Sequence, residues 1–271
     1  MLTQVLFKSL GEDILDLTLE DYTQGYILTN IEGLEPVKAN IVATEYAQMD
    51  GAQYQSSYRG ARDIRVTIEL EPYDYSLSVT ELRVKLYRFF LTKTPVTIEF
   101  VDDVLQPVTI SGVVEDFTTE LFSKTPSVTV QIYCADPDFV EKAQSYVTGV
   151  SGNLSYPFTY TGDVEAGAVL TVRCSAANNG MTIYHSATGT PTYSFQLEYN
   201  FLANDIVTIS SLPGGKKVTL RRSGAESSIV YAMTAGSVWP KARPGINSIQ
   251  VYQTKSGSSF DMVWTARHGG L

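Results

Sequence analysis

A chain of 271 residues can bury a sizeable core and is long enough for two domains of ordinary size or one large all-β unit, of which two domains suit the change in texture along it. The formal charge of -9, with a pI near 4.8, argues against a protein that grips nucleic-acid phosphates, because such a surface needs a basic patch to displace counterions. With only two cysteines, Cys134 and Cys174, there is no disulfide framework and no thiolate metal cluster, and both read as small buried thiols in alternating strands.

Residues Met1 to Leu10 lack the basic region, long apolar run and small-residue cleavage site of a signal peptide. No stretch reaches the roughly twenty consecutive apolar residues of a membrane-spanning helix. A soluble product without membrane insertion is therefore expected, and the sequon Asn153-Leu154-Ser155 carries little weight. Asp13 to Leu17 and Tyr26 to Ile31 are short strand candidates bounded by glycines. Val37, Ala39, Ile41 and Ala43 alternate with polar neighbours, which predicts a half-buried strand. Tyr46 to Arg62 shows no hydrophobic period, carries Asp50-Gly51 near its middle, and reads as a long loop of the kind that is functional or disordered. Its tyrosines, Tyr46, Tyr54 and Tyr58, suit contact with another chain better than a core. Asp63 to Leu70 then alternates strictly, a strand with one wet face.

Ser78 to Phe90 is the one convincing amphipathic helix. Ser78 and Glu81 match a capping box. Val79, Leu82, Leu86, Phe89 and Phe90 line one face, worth roughly 10 kcal/mol gross if buried, while Arg83, Lys85 and Arg88 fall elsewhere. Pro95 marks the stop. Val96 to Val101 and Pro107 to Phe117 read as strands joined across Asp102-Asp103, with Gly112 at a plausible bulge, and Ser127 to Cys134 as a further alternating strand. Asp136-Pro137-Asp138 ends it and sets the expected boundary between domains 1–138 and 139–271. The second half is rich in glycine, serine and threonine. It offers short strands at Ala168 to Cys174, Met181 to Tyr184, Tyr193 to Tyr199, Ile206 to Ser210, Lys217 to Leu220, Ser228 to Met233, Asn247 to Gln253 and Phe260 to Thr265, with a Pro213-Gly214-Gly215 turn, which together predict an antiparallel sandwich.

Catalytic chemistry has little footing. His185 and His268 lie in no metal or nucleophile motif, and Gly214-Gly215-Lys216-Lys217 lacks the spacing and following helix of a phosphate loop. The carboxylate pairs Asp102 and Asp103, Glu115 and Asp116, and Asp136 and Asp138 read as turn residues, since none has the alternating oxygens and glycine of a calcium loop. No catalytic residue, cofactor or metal is assigned. Trp239 and Trp264 read as structural.

The order of elements in 1–138, from the Asp50-Gly51 loop through the single helix to Cys134-Ala135-Asp136-Pro137-Asp138-Phe139, resembles the ring domain of siphophage distal tail proteins. The second half resembles the same family in Gly162-Asp163, Asn204-Asp205-Ile206-Val207-Thr208-Ile209, Gly215-Lys216, Ser237, Trp239, Pro244-Gly245-Ile246-Asn247 and the closing Arg267-His268-Gly269-Gly270-Leu271. The resemblance implies a mainly β protein: an N-terminal split β-barrel with one α-helix, like a tail-tube protein, followed by a C-terminal galectin-like β-sandwich. It also implies a homo-hexameric ring, single or stacked, at the distal end of a virion's non-contractile tail. There it would join the tail-tube protein to the tail-tip or baseplate hub protein and carry receptor-binding protein, while genomic DNA passes through the channel without specific binding. Tyr46 to Arg62 is the candidate arm between subunits, with Tyr46, Met49, Asp50, Gln53, Tyr54, Tyr58 and Arg59 as candidate interface residues. The rival reading is an oligomeric carbohydrate-binding protein that uses the sandwich.

Overall fold

The computed structural model describes residues 2–9, 13–18, 21, 23–46, 50–72, 78–103, 106–120 and 122–271. It divides into two compact units, Met1–Lys142 with Gly269–Leu271, and Ala143–His268.

The first unit contains β1 (Leu2–Ser9), β2 (Ile14–Thr18), β3 (Tyr26–Glu32), β4 (Ala39–Glu45), β5 (Ala52–Arg59), β6 (Arg62–Leu70), helix α1 (Val79–Phe90), β7 (Pro95–Asp102), β8 (Val108–Glu120), β9 (Ser127–Cys134) and the start of β10 (Phe139–Val150). Its strands pair antiparallel in the order β2-β1-β7-β8-β9-β6-β3, an open, split barrel. The long strand β8 makes the split. Pro95 to Phe100 pair with its first half and Ser127 to Tyr133 with its second, and the register slips between Val114 and Asp116, where a bulge turns the strand. The bulge therefore sits after Gly112. That glycine instead permits close approach, since a Cβ there would stand 2.7 Å from the Tyr133 carbonyl oxygen.

Period-two alternation puts Ile64, Val66, Ile68 and Leu70 of β6 into one core with Val5, Phe7, Ile98, Phe100, Val130 and Ile132. Helix α1 closes that core. Ser78 and Glu81 form the capping box, and the Ser78 backbone and side-chain hydrogen bonds hold the Glu81 carboxyl below its usual value. Leu82, Leu86 and Phe90 are buried and Val79 and Phe89 half-buried, as the spacing predicts. Phe90 meets Phe7 edge to face at 5.1 Å, and the Tyr26 hydroxyl donates to the Leu82 carbonyl at 2.9 Å. On the other face of β7, buried Glu99 accepts from Lys8 and from Lys142 at 3.0 Å. Burial alone would raise its carboxyl, but the two ammonium partners win and lower it.

Several strands escape sequence reading. β1 and β10 give no clear sequence signal, because β1 buries only Val5 and Phe7 and half of the residues of β10 are exposed. β4 was expected to be half-buried and is instead exposed on both faces.

The second unit is a sandwich. One sheet runs β17-β16-β15-β12-β20, with β12 (Ala166–Arg173), β15 (Ile206–Ser210), β16 (Lys217–Arg222), β17 (Ala225–Ser228), β20 (Ser259–His268) and the short β18 (Lys241–Ala242) beside β12. The other runs β11-β19-β13-β14, with β11 (Tyr156–Tyr160), β13 (Met181–Ala187), β14 (Tyr193–Leu197) and β19 (Gly245–Tyr252). Leu170, Val172, Ile183, Phe195, Ile209, Val251, Phe260 and Trp264 belong to the core of this unit. Ser228 to Met233, expected as a strand, is the end of β17 followed by a 3-10 turn at Val230–Ala232 that buries Ala232. Asp205, buried, accepts from the Arg222 guanidinium and from the Leu202 amide. The arginine hydrogen bond is the main cause of its lowered carboxyl pKa, against the opposing effect of burial.

Two outcomes are expected. Leu86→Asp, which puts a charge where the side chain is fully buried, should cost the first unit at least ~3 kcal/mol, read as lost amide-exchange protection in β1 and β6. Both tryptophans lie in the second unit, so its unfolding is followed by their fluorescence. Because the folded-state pKa of Asp205 is depressed, its contribution is complete above about pH 4 and lost as pH falls through the lowered value. Asp205→Asn should therefore flatten the acid limb of that unit's denaturant midpoint against pH.

Candidate assembly site

Among the described residues strands β4 and β5 pair only with each other, from Ala39 opposite Arg59 to Glu45 opposite Ala52, and form a two-stranded hairpin separate from the barrel sheet. The stretch expected as a loop is thus mostly β5 and its turn, and the arm begins at Ala39. The missing hydrophobic period has a physical cause: neither face of the hairpin meets a core, so nothing selects alternate residues.

A register slip between Val42 and Ala43 makes Gln55 an extra residue on β5. This bulge puts Tyr54 on the same face as Ser57, and their hydroxyls lie 2.8 Å apart. Ile41, Ala43, Glu45, Tyr54 and Ser57 therefore share one face, and Val42, Thr44, Gln53, Ser56 and Tyr58 the other. Each face carries an aliphatic side chain and a tyrosine in water: Ile41 is 69% and Tyr54 61% exposed on one, Tyr58 62% exposed on the other. Tyr46 donates to Gln53, Gln55 donates to Thr44, and Asp50 sits in the turn. Met49 lies outside the described residues. The remaining candidate, Arg59, is not at the tip. It is at the root, forked onto the buried carboxylate of Asp138, with Nη2 to Oδ2 at 3.1 Å.

Arg62, the last residue assigned to the loop, is buried at 1% exposure. Its Nε donates to the Pro137 carbonyl at 2.7 Å, its Nη1 to those of Gly33 and Glu35, and its Nη2 to that of Gly269, while the guanidinium lies 4.4 Å from the centre of the Phe139 ring. Burial lowers its pKa, with the carboxylate of Asp138 acting the other way. One side chain thus ties the segment before β4, the turn after β9 and residues 269–271 together. Gly33 is required there: its φ is +90°, and a Cβ would stand 2.1 Å from the Asp63 carbonyl oxygen. The Leu271 amide donates to the Leu34 carbonyl at 2.9 Å, and Gly270 packs on Pro36. Arg62 could have been found in the sequence, because it shares parity with Ile64, Val66 and Ile68 and so falls on the buried face of β6.

The described residues contain no cluster of histidine, cysteine and carboxylate side chains able to hold a metal. Burial pushes the Cys134 thiol up to about 12 and raises Cys174, so neither is a thiolate at neutral pH. Trp264 is buried against Phe158 at 4.4 Å and Trp239 half-buried against Phe195 at 5.0 Å. In the second unit, the motif residues singled out in the sequence hold turns. Asn247 accepts from the Arg243 amide and donates to the Arg243 and Gly245 carbonyls, Ser237 accepts from the Gln196 amide, and Asp205 braces Leu202.

Residues 161–268 match the profile of the siphovirus-type tail component, C-terminal domain. Over 97% of this chain and 98% of the other, the fold is similar to the crystal structure of the phage SPP1 Dit protein, at a TM-score of 0.69 and 17% identity. A chain of the phage P2 baseplate in its activated, calcium-bound conformation is similar over all of both chains at a TM-score of 0.47 and 8% identity. No curated protein sequence matches. Residues 161–268 of the second unit thus have the sequence pattern of the C-terminal domain of a siphovirus-type tail component. More particularly, over nearly its whole length the chain shares the fold of the SPP1 Dit protein, while residues 161–268 carry the sequence pattern of that tail-component domain.

Arg62→Lys keeps the charge but loses the fork that reaches carbonyls from separate segments. It is expected to cost on the order of 2 to 3 kcal/mol and to speed amide exchange at Leu271, leaving protection in α1 unchanged.

Proposed function

We propose that the chain forms a homo-hexameric ring, single or stacked, at the end of a long non-contractile tail, with the β4–β5 hairpin as the arm that reaches the adjacent subunit. The observation that carries this reading is the hairpin with solvent on both faces. Two strands without a covering layer are marginal in water, and exposed Ile41 and Tyr54 on one face with Tyr58 on the other are worth keeping only if another surface covers them. A heterologous contact of this kind, repeated by a fixed rotation, closes a ring. Candidate interface residues remain Tyr46, Asp50, Gln53, Tyr54 and Tyr58. Arg59 acts through Asp138, orienting the arm rather than touching the neighbour.

In this role the ring joins the tail-tube protein to the tail-tip or baseplate hub protein and offers its outer sandwich to receptor-binding protein. The fold shared with a protein described as a paradigm of hub adsorption apparatus in phages infecting Gram-positive hosts supports that position. An acidic chain suits a conduit through which DNA passes without being held. The role is structural and calls for no catalysis.

Replacing residues 41–57 by a short glycine turn should leave a folded protein, with an unchanged tryptophan-monitored unfolding midpoint, that sediments as a monomer. The full chain should sediment at six or twelve times the monomer mass. A full-length chain that stays monomeric at every concentration would sink the ring.

A further inference from the structure

Helix α1 carries a second uncovered surface. A helix that seals a core with one stripe ordinarily turns polar residues outward. Here Val84, Tyr87 and Leu91 follow one another along the outer side at 52%, 40% and 60% exposure, well away from the buried Leu82, Leu86 and Phe90. The Tyr87 ring is held edge-on by Phe117 at 5.1 Å and so is fixed in place. From Arg83 onward the border of this stripe is basic, with Arg83, Lys85, Arg88 and Lys93, while the one helix carboxylate, Glu81, is taken up by the capping box with Ser78, in a chain whose balance is -9. The arm is the converse. Its outer residues carry Glu45 and Asp50 and no cation, since Arg59 at its root is engaged by Asp138.

We infer that the face of the hairpin bearing Ile41, Glu45 and Tyr54 docks on the Val84-Tyr87-Leu91 stripe of α1 in a second copy of this chain. The inference rests on the ring reading above and adds where the arm lands. Dimensions agree, because eight extended residues span about 27 Å and twelve helical ones about 18 Å, so one hairpin can cover the helix from end to end. Chemistry agrees as well. Ile41 and Tyr54 meet aliphatic and aromatic side chains, while Glu45 comes to the basic border at Lys85 and Arg88, so that the apolar centre lies inside a charged rim as in ordinary protein interfaces. Both surfaces occur once per chain and lie on different elements, which is what a head-to-tail ring requires.

The test uses the full chain. A Tyr54→Cys protein is mixed with a Val84→Cys protein, both exposed positions, and treated with a short bismaleimide; the native thiols are buried and protonated. Covalent dimers between the two variants, and few from either variant alone, are expected. Separately, Glu45→Lys should weaken association at least threefold, and adding Arg88→Glu to the same chain should restore it, with the unfolding midpoint unchanged throughout. If the chain assembles, loses assembly on replacement of residues 41–57, yet gives no mixed cross-link and ignores both charge changes, the arm lands elsewhere and the inference falls while the ring stands. If the full chain is monomeric alone and the arm engages only an added tail protein, both fall.

Discussion

One buried guanidinium organises the first unit. Arg62 enters β6 on the side that faces the core, where an unpaired charge would be prohibitive, and it is tolerated because backbone carbonyls at Gly33, Glu35, Pro137 and Gly269 surround it and Phe139 covers its face. Those carbonyls belong to segments that follow β3, β9 and β20. Without Arg62 these carbonyls would lose a charged donor shared between them, so the side chain and the loops support each other.

The arm inherits its direction from this root. β4 departs three residues after Pro36 and β5 returns to Arg59, three residues before Arg62, so both ends of the hairpin are tied to points that the guanidinium or Asp138 holds. A hairpin fixed at its base and solvated along its length differs from a floppy loop in what it costs to bind, since the backbone ordering that association would otherwise require is already complete. The Gln55 bulge adds twist and distributes tyrosines to both faces, so the arm has no single dry side on which it could fold back.

The second unit uses its polar residues differently. Asp205, Asn247 and Ser237 satisfy the backbone of turns between strands, and the core behind them is apolar from Leu170 to Trp264. This explains why a sequence pattern spread over separate turns can identify a sandwich whose strands are unremarkable: the strands tolerate exchange of one apolar residue for another, whereas a turn that needs one side chain to reach several backbone groups does not.

The amino-acid sequence by itself determined what is local or periodic. The capping box at Ser78 and Glu81, the apolar stripe of α1 and the alternation of β6 and β9 depend only on neighbours a few residues away and on one buried side. It also contained the order of turn motifs that points to distal tail proteins. Tertiary structure alone decided that Tyr46 to Arg62 is mainly strand, because a hairpin wet on both faces leaves no period to read, and that Arg59 and Arg62, alike in sequence, serve a half-exposed ion pair and a buried carbonyl cage. The partners of Arg62 come from positions 33, 35, 137 and 269, and contacts so far apart along the chain exist only once the fold has closed.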